Sequence, residues 1–235
     1  MRKIQLKQVL RNKRFVLFTI ILPIGWYIFF YQLQKGISPS ILLGIAVFIG
    51  VIGNSLATFS KRIASDIGFY SFESHFTNYS VKNYLWDQSI VQLILNSLIF
   101  LAVLVVAVLG FHFPVTTSLL VQFFLLSLMG IYFSVIGFVL GVRVDAKTID
   151  TIGFPVIILA AMTIIPFDTL GASGGFMDLV GKLQRVFPGY YYTKLIQDLT
   201  EKQTIDATQI ALFVAVFGLN LLFFYLLVPK GKMGN

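Results

Sequence analysis

Six stretches of the chain run for 17 to 24 residues with a single carboxylate, Asp168, among them all: 15–33, 41–59, 88–109, 119–142, 152–168 and 208–228. A helix needs roughly 20 apolar residues to cross a hydrocarbon core of about 30 Å, and inside that core its own backbone must satisfy every amide. The pattern therefore predicts an all-α polytopic membrane fold with six transmembrane helices. Composition excludes a soluble domain: 57% of residues are hydrophobic and 12% charged, where globular proteins carry about 25% charge. The fifth stretch is the shortest and contains Pro155 and Pro166, which predict a kinked or tilted helix. With no cysteine in the chain, disulfide frameworks and thiolate metal sites are excluded.

An even number of spans puts both termini on one side. Of the 18 Lys and Arg residues, 13 fall on the side of the termini and five on the other. By the positive-inside rule the termini are cytoplasmic. The formal charge of +8 is thus topological, and no nucleic-acid partner is expected. Residues 1–14, MRKIQLKQVLRNKR, set Ile4, Leu6, Val9 and Leu10 among six cations and predict an interfacial amphipathic helix on anionic headgroups; a disordered basic leader is the alternative. The first span lacks a small-residue cleavage site and reads as a retained anchor. A transmembrane domain over 15–228 follows, with a cytoplasmic loop at 60–87 and an extracellular segment at 169–207. The tail, 229–235, is cytoplasmic, and the location is the plasma membrane.

Polar and small residues inside the spans mark two features. Gln88, Gln92 and Asn96 are four apart, hence on one helical face, and with Asn54 of the second span they are candidates for lining a translocation path. Interhelical hydrogen bonding without substrate contact is the other reading of the same face. Ser127, Gly130, Ser134, Gly137 and Gly141 recur at spacings of three and four in the fourth span, as do Ala46, Gly50, Gly53 and Ala57 in the second. Such seams allow close backbone approach, either within one subunit or at a dimer interface. The loop at 61–88 mixes charges with seven aromatics, which suits docking to a cytoplasmic partner. In the outer segment, Phe176, Leu179, Val180, Leu183 and Phe187 keep helical spacing, and Tyr191, Leu195 and Leu199 continue it. Two short amphipathic helices broken at Phe187-Pro188-Gly189 are expected, surface-bound or re-entrant, roofing a cavity.

The tetrapeptide Gly171-Ala172-Ser173-Gly174 is similar to the serine motif of rhomboid-type intramembrane proteases. A serine nucleophile needs a base within hydrogen-bond reach, which in rhomboid-like enzymes is a histidine on a later helix. The two histidines, His75 and His112, both precede Ser173, so an intramembrane serine hydrolase is the lesser reading and a glycine-rich turn the simpler one. No phosphate-binding loop, H-E-x-x-H helix or intramembrane carboxylate pair is present.

As a whole the chain resembles the permease subunits of ABC-2 type, or type V, ABC transporters. The resemblance rests on the basic leader, the six spans, the cytoplasmic loop and the paired outer helices. Glu73, Thr77 and Ser80 match the family's Glu and Thr-Pro-x-Ser turn, with Asn78 where proline is common. Pro188 and Tyr191 match its Asn-Pro-x-x-Tyr stretch, with Phe187 where Asn is common. The resemblance implies a permease dimer, identical or with a sister subunit, bound to separate ATPase subunits that hold ATP and magnesium; the chain itself then needs no cofactor. Glu73, Phe76, Thr77, Tyr79 and Ser80 would contact the ATPase, and a peptide, lantibiotic, drug or lipid-like substrate would move outward. An accessory membrane protein without transport is a further alternative.

Overall fold

The computed structural model describes residues 11, 16–33, 37–66, 81–165, 167, 175–201 and 206–228. The leader apart from Arg11, the loop residues Glu73, Phe76, Thr77, Tyr79 and Ser80, His75, the turn holding Ser173, and the tail lie outside them.

Among the described residues the chain is helical, with short links and no strand. A π-helical turn, Leu17–Ile21, leads into α1 (Leu22–Leu33). The second helix, α2 (Pro39–Asp66), is α-helical over Pro39–Ile52 and π-helical over Gly53–Phe59. Then come α3 (Val81–Phe111), α4 (Ser118–Arg143) and α5 (Ala146–Met162). Two short helices, α6 (Gly175–Gln184) and α7 (Pro188–Glu201), precede the last, α8 (Ala207–Leu226). Among the described residues, four helices are long and apolar enough to cross a bilayer: α2, α3 from Trp86, α4 and α8; Thr19–Leu33 is a shorter apolar helix. The chain is an all-α membrane protein.

Three helices have bounds that differ from the sequence reading. Helix α2 runs seven residues beyond Phe59, into the expected loop. Its charged end is stabilised there: Lys61 pairs with Asp150 of α5, and Arg62 donates from Nη2 to Gln88 Oε1 at 2.9 Å while lying 5.3 Å from the Phe59 ring centre. Helix α3 likewise starts at Val81, ahead of the expected 88. Helix α5 begins and ends six residues earlier than the expected 152–168. Asp145 sets its start by accepting from the backbone N–H of Lys147 and Thr148 at 3.0 and 2.9 Å, an N-cap that pairs two of the orphan amides of a helix start. At its far end, Gln184 donates to the carbonyls of Met162 and Ile165 at 2.6 and 2.8 Å, and Thr193 donates to that of Ile164 at 2.9 Å. These side chains meet the hydrogen-bonding needs of a helix terminus, so α5 stops ahead of Pro166.

Helix α2 is the centre of the bundle. Leu42, Leu43, Ala46, Val47, Phe48, Val51 and Ile52 are all buried, because α1, α3, α4, α5 and α7 pack around it. A β-carbon at Gly50 would meet Pro23 Cγ at 2.6 Å and Ile99 Cγ2 at 2.8 Å; the glycine lets α1, α2 and α3 converge at one level. Outward faces are apolar, with Leu109 of α3 and Phe154 of α5 more than 70% exposed. In lipid such faces need no polar cover.

The segment holding α6 and α7 is more deeply engaged than a surface-bound pair would be. Helix α7 packs on α2, α4 and α8, and Tyr192, Leu195 and Ile196 join the main hydrophobic core. Tyr192 meets Phe48 edge-on, ring centres 4.4 Å apart, facing Gly44, where a β-carbon would lie 2.7 Å from its hydroxyl. Asn220, in the second half of α8, donates to the carbonyl of Val186 in the α6–α7 link at 2.9 Å.

Candidate functional site

The polar residues of three helices converge where the π-helical part of α2 passes between α3 and α4. The i→i+5 winding of a π turn widens a helix locally and is found often at functional positions. Here it carries Asn54 and Ser55. Asn54 Nδ2 donates to Asn96 Oδ1 at 3.2 Å, Gln92 Nε2 donates to Ser55 Oγ at 3.2 Å, and the hydroxyls of Ser55 and Ser134 lie 3.5 Å apart. Ser134 also donates to the carbonyl of Gly130 one turn back, at 2.6 Å. The result is a cluster reaching from α3 through α2 to α4.

Burial makes the cluster costly to leave unpaired. Asn54, Gln88 and Gln92 are each 1% exposed and Asn96 is 5%. Even so, Gln88 Nε2, Gln92 Oε1 and Asn96 Nδ2 have no hydrogen-bond partner. A buried polar group without one costs about 1–3 kcal/mol, so three such atoms offset much of what the interhelical bonds contribute. The arrangement is closely packed, with three of its polar side-chain atoms lacking a partner within the protein.

Small residues on α4 make that packing possible. A β-carbon at Gly130 would collide with the Asn96 amide, one at Gly137 with the backbone carbonyl of Ser55, and one at Gly141 with the carbonyl of Ser60. The seam of Gly130, Ser134, Gly137 and Gly141 is therefore in use within one chain, against α2 and α3. Of the second-span seam, Ala46 and Gly50 are buried, and Ala57 would lie 3.8 Å from a β-carbon at Gly153 of α5.

The four residues singled out from sequence thus sit along one line. Asn54, Gln92 and Asn96 share the cluster, and Gln88, one turn from Gln92, joins it to Arg62. Ser55, which bonds both α3 and α4, is the member that sequence reasoning missed; its only signal is its place next to Asn54. At the start of α7 and just before it, Pro188 is buried while Phe187 and Tyr191 are half-buried; the neighbouring Tyr192, rather than Tyr191, inserts into the core. Among the described residues no group of three or more His, Cys, Asp or Glu gathers in the manner of a metal site. At the turn after α3, His112 adopts a positive φ of 52°.

No family model, curated protein or solved structure matches this chain.

Proposed function

We propose that this chain is the membrane-spanning permease subunit of an ATP-driven exporter of the ABC-2 type. In this reading it crosses the plasma membrane six times, the shorter first and fifth helices included, with both termini in the cytoplasm where the Lys and Arg residues concentrate. It pairs with a second permease subunit, identical or sister, and with ATPase subunits that bind ATP and magnesium. Residues 61–87, with Glu73, Phe76, Thr77, Tyr79 and Ser80, form the ATPase contact together with the interfacial segment 1–14. The cargo is a peptide, lantibiotic, drug or lipid-like molecule.

The observation that carries the reading is the buried amide cluster. Ionisable and amide groups at bilayer depth are expensive and gather along routes for polar cargo. Here Asn54, Gln88, Gln92 and Asn96 face inward on helices whose other sides are apolar. Helix α7, packed on α2, α4 and α8, and α6, tied by Gln184 to the carbonyls of Met162 and Ile165, would close the route on the outer side.

Co-expression with candidate ATPases tests the proposal. A complex should purify through the permease, and its ATP turnover should change when the permease is present. Glu73→Lys or Phe76→Ala should weaken the complex. A chain that forms no such complex and gives no ATP-dependent flux in vesicles is an accessory protein instead, and one whose Ser173 reacts with a fluorophosphonate is a hydrolase.

A further inference from the structure

The unpaired atoms on α3 have an order. Gln88 Nε2, Gln92 Oε1 and Asn96 Nδ2 run donor, acceptor, donor along one face, each without a partner. Four residues of α-helix advance about 6 Å, close to the gap that one water spans with two hydrogen bonds of roughly 2.8 Å. A fourth buried atom without a partner, Thr19 Oγ1, comes from the π turn Leu17–Ile21, which packs on both α3 and Gly53–Phe59. Pro23, Gly50 and Ile99 meet at one level; one turn from them Thr19 reaches the level of Asn54 and Asn96. The π turn thus brings a fourth such atom to the level of the row.

We propose that this seam is a water-binding site, with one water bridging Gln88 to Gln92 and a second bridging Gln92 to Asn96. The row itself is uncharged. A guest that both donates and accepts suits it, whereas a bare cation would meet two N–H groups and an anion would meet the Gln92 carbonyl oxygen. The four atoms are shielded from solvent on every side, so water enters only as α3 parts from α2 and α4. That parting is favoured by the same groups, because each gains a hydrogen bond that the closed packing denies it. The inference holds for this chain alone, whether or not it works with an ATPase.

Thiol labelling of the purified chain in lipid nanodiscs, with no partner protein, tests it against a cysteine-free background. Ser55→Cys should react with a small water-soluble thiosulfonate at least about tenfold faster than Val47→Cys, which sits wholly buried on the apolar part of α2, as expected of a local opening rather than global unfolding. Adding Gln92→Leu should bring the rate at position 55 down toward that at 47. Equal rates at 55 and 47, or a rate at 55 indifferent to Gln92→Leu, overturns the proposal. A wet seam on a chain that recruits no ATPase would leave this inference standing and remove the transport reading.

Discussion

Asn54 Nδ2 donates to Asn96 Oδ1 at 3.2 Å, joining α2 to α3 between residues 42 apart in sequence. The bond is buried and amide to amide, so neither partner is ionised and its strength should not depend on pH. A double-mutant cycle with Asn54→Ala and Asn96→Ala should give a coupling of about 0.5–1.5 kcal/mol, the range for interhelical hydrogen bonds in membrane proteins. Reversible unfolding in mixed detergent measures it. Strictly additive effects would mean that the two amides do not interact.

Gly137 faces the carbonyl of Ser55 with no room for a side chain. Gly137→Ala should destabilise the fold by about 1–3 kcal/mol, the usual cost of overpacking. At Gly218, on α8, a β-carbon would meet nothing within 4 Å, so Gly218→Ala should be neutral or stabilising by up to about 1 kcal/mol through helix propensity. Thermal unfolding of the two variants side by side separates close packing from glycine content as such.

His112 follows α3 at the position where a left-handed residue ends a helix, and Phe113 N–H returns to the carbonyl of Ala107 at 3.1 Å. A helix that ends through a left-handed residue favours glycine at that position. Left-handed backbone costs a residue with a β-carbon about 1–2 kcal/mol. His112→Gly should therefore raise the melting temperature, and His112→Val should lower it. A stability order with valine above glycine would contradict the observed backbone.

Asp145 caps α5, and the hydroxyl and backbone N–H of Thr148, then that of Lys147, hold its carboxyl below the ordinary carboxylate range. A carboxylate depressed in the folded state stabilises fully above its unfolded pKa of about 3.9 and loses that contribution as pH falls through the lower folded value. Asp145→Ala should thus melt below the parent protein at pH of about 7. The difference should shrink toward zero in acid below pH of about 3. Melting curves across pH of about 2 to 7 read this directly, and a gap that persists in acid would assign the loss to packing.

How far the structure could be read from sequence depends on the kind of force involved. Transfer of apolar side chains out of water is strong and local, so the helical, membrane-spanning character is visible in residue order alone. The inward amide face was legible because Gln88, Gln92 and Asn96 keep a spacing of four, and unpaired amides in hydrocarbon must find one another. Helix ends were less legible because distant residues decide them. Asp150 and Gln88 hold the charged end of α2 in place, and Gln184 and Thr193 close α5. The two π turns carry no sequence mark. Nor does Ser55 announce its role, which depends on winding that only the packed neighbours select.

Of all residues in α8, Phe213 alone is buried. The helix packs on α4 and α7 through Phe213 and the partly buried Phe217, Leu221 and Phe224, and polar ties add to this: Arg143 donates to the carbonyl of Leu227 at 3.1 and 2.7 Å, and Tyr132 reaches Asn220 at 3.3 Å. Synthesis runs from the N-terminus, so α8 emerges after α1 to α7 and docks onto α4 and α7 once they have been made. Residues 1–205 and 206–235 expressed as separate polypeptides should still assemble in the membrane without a covalent link.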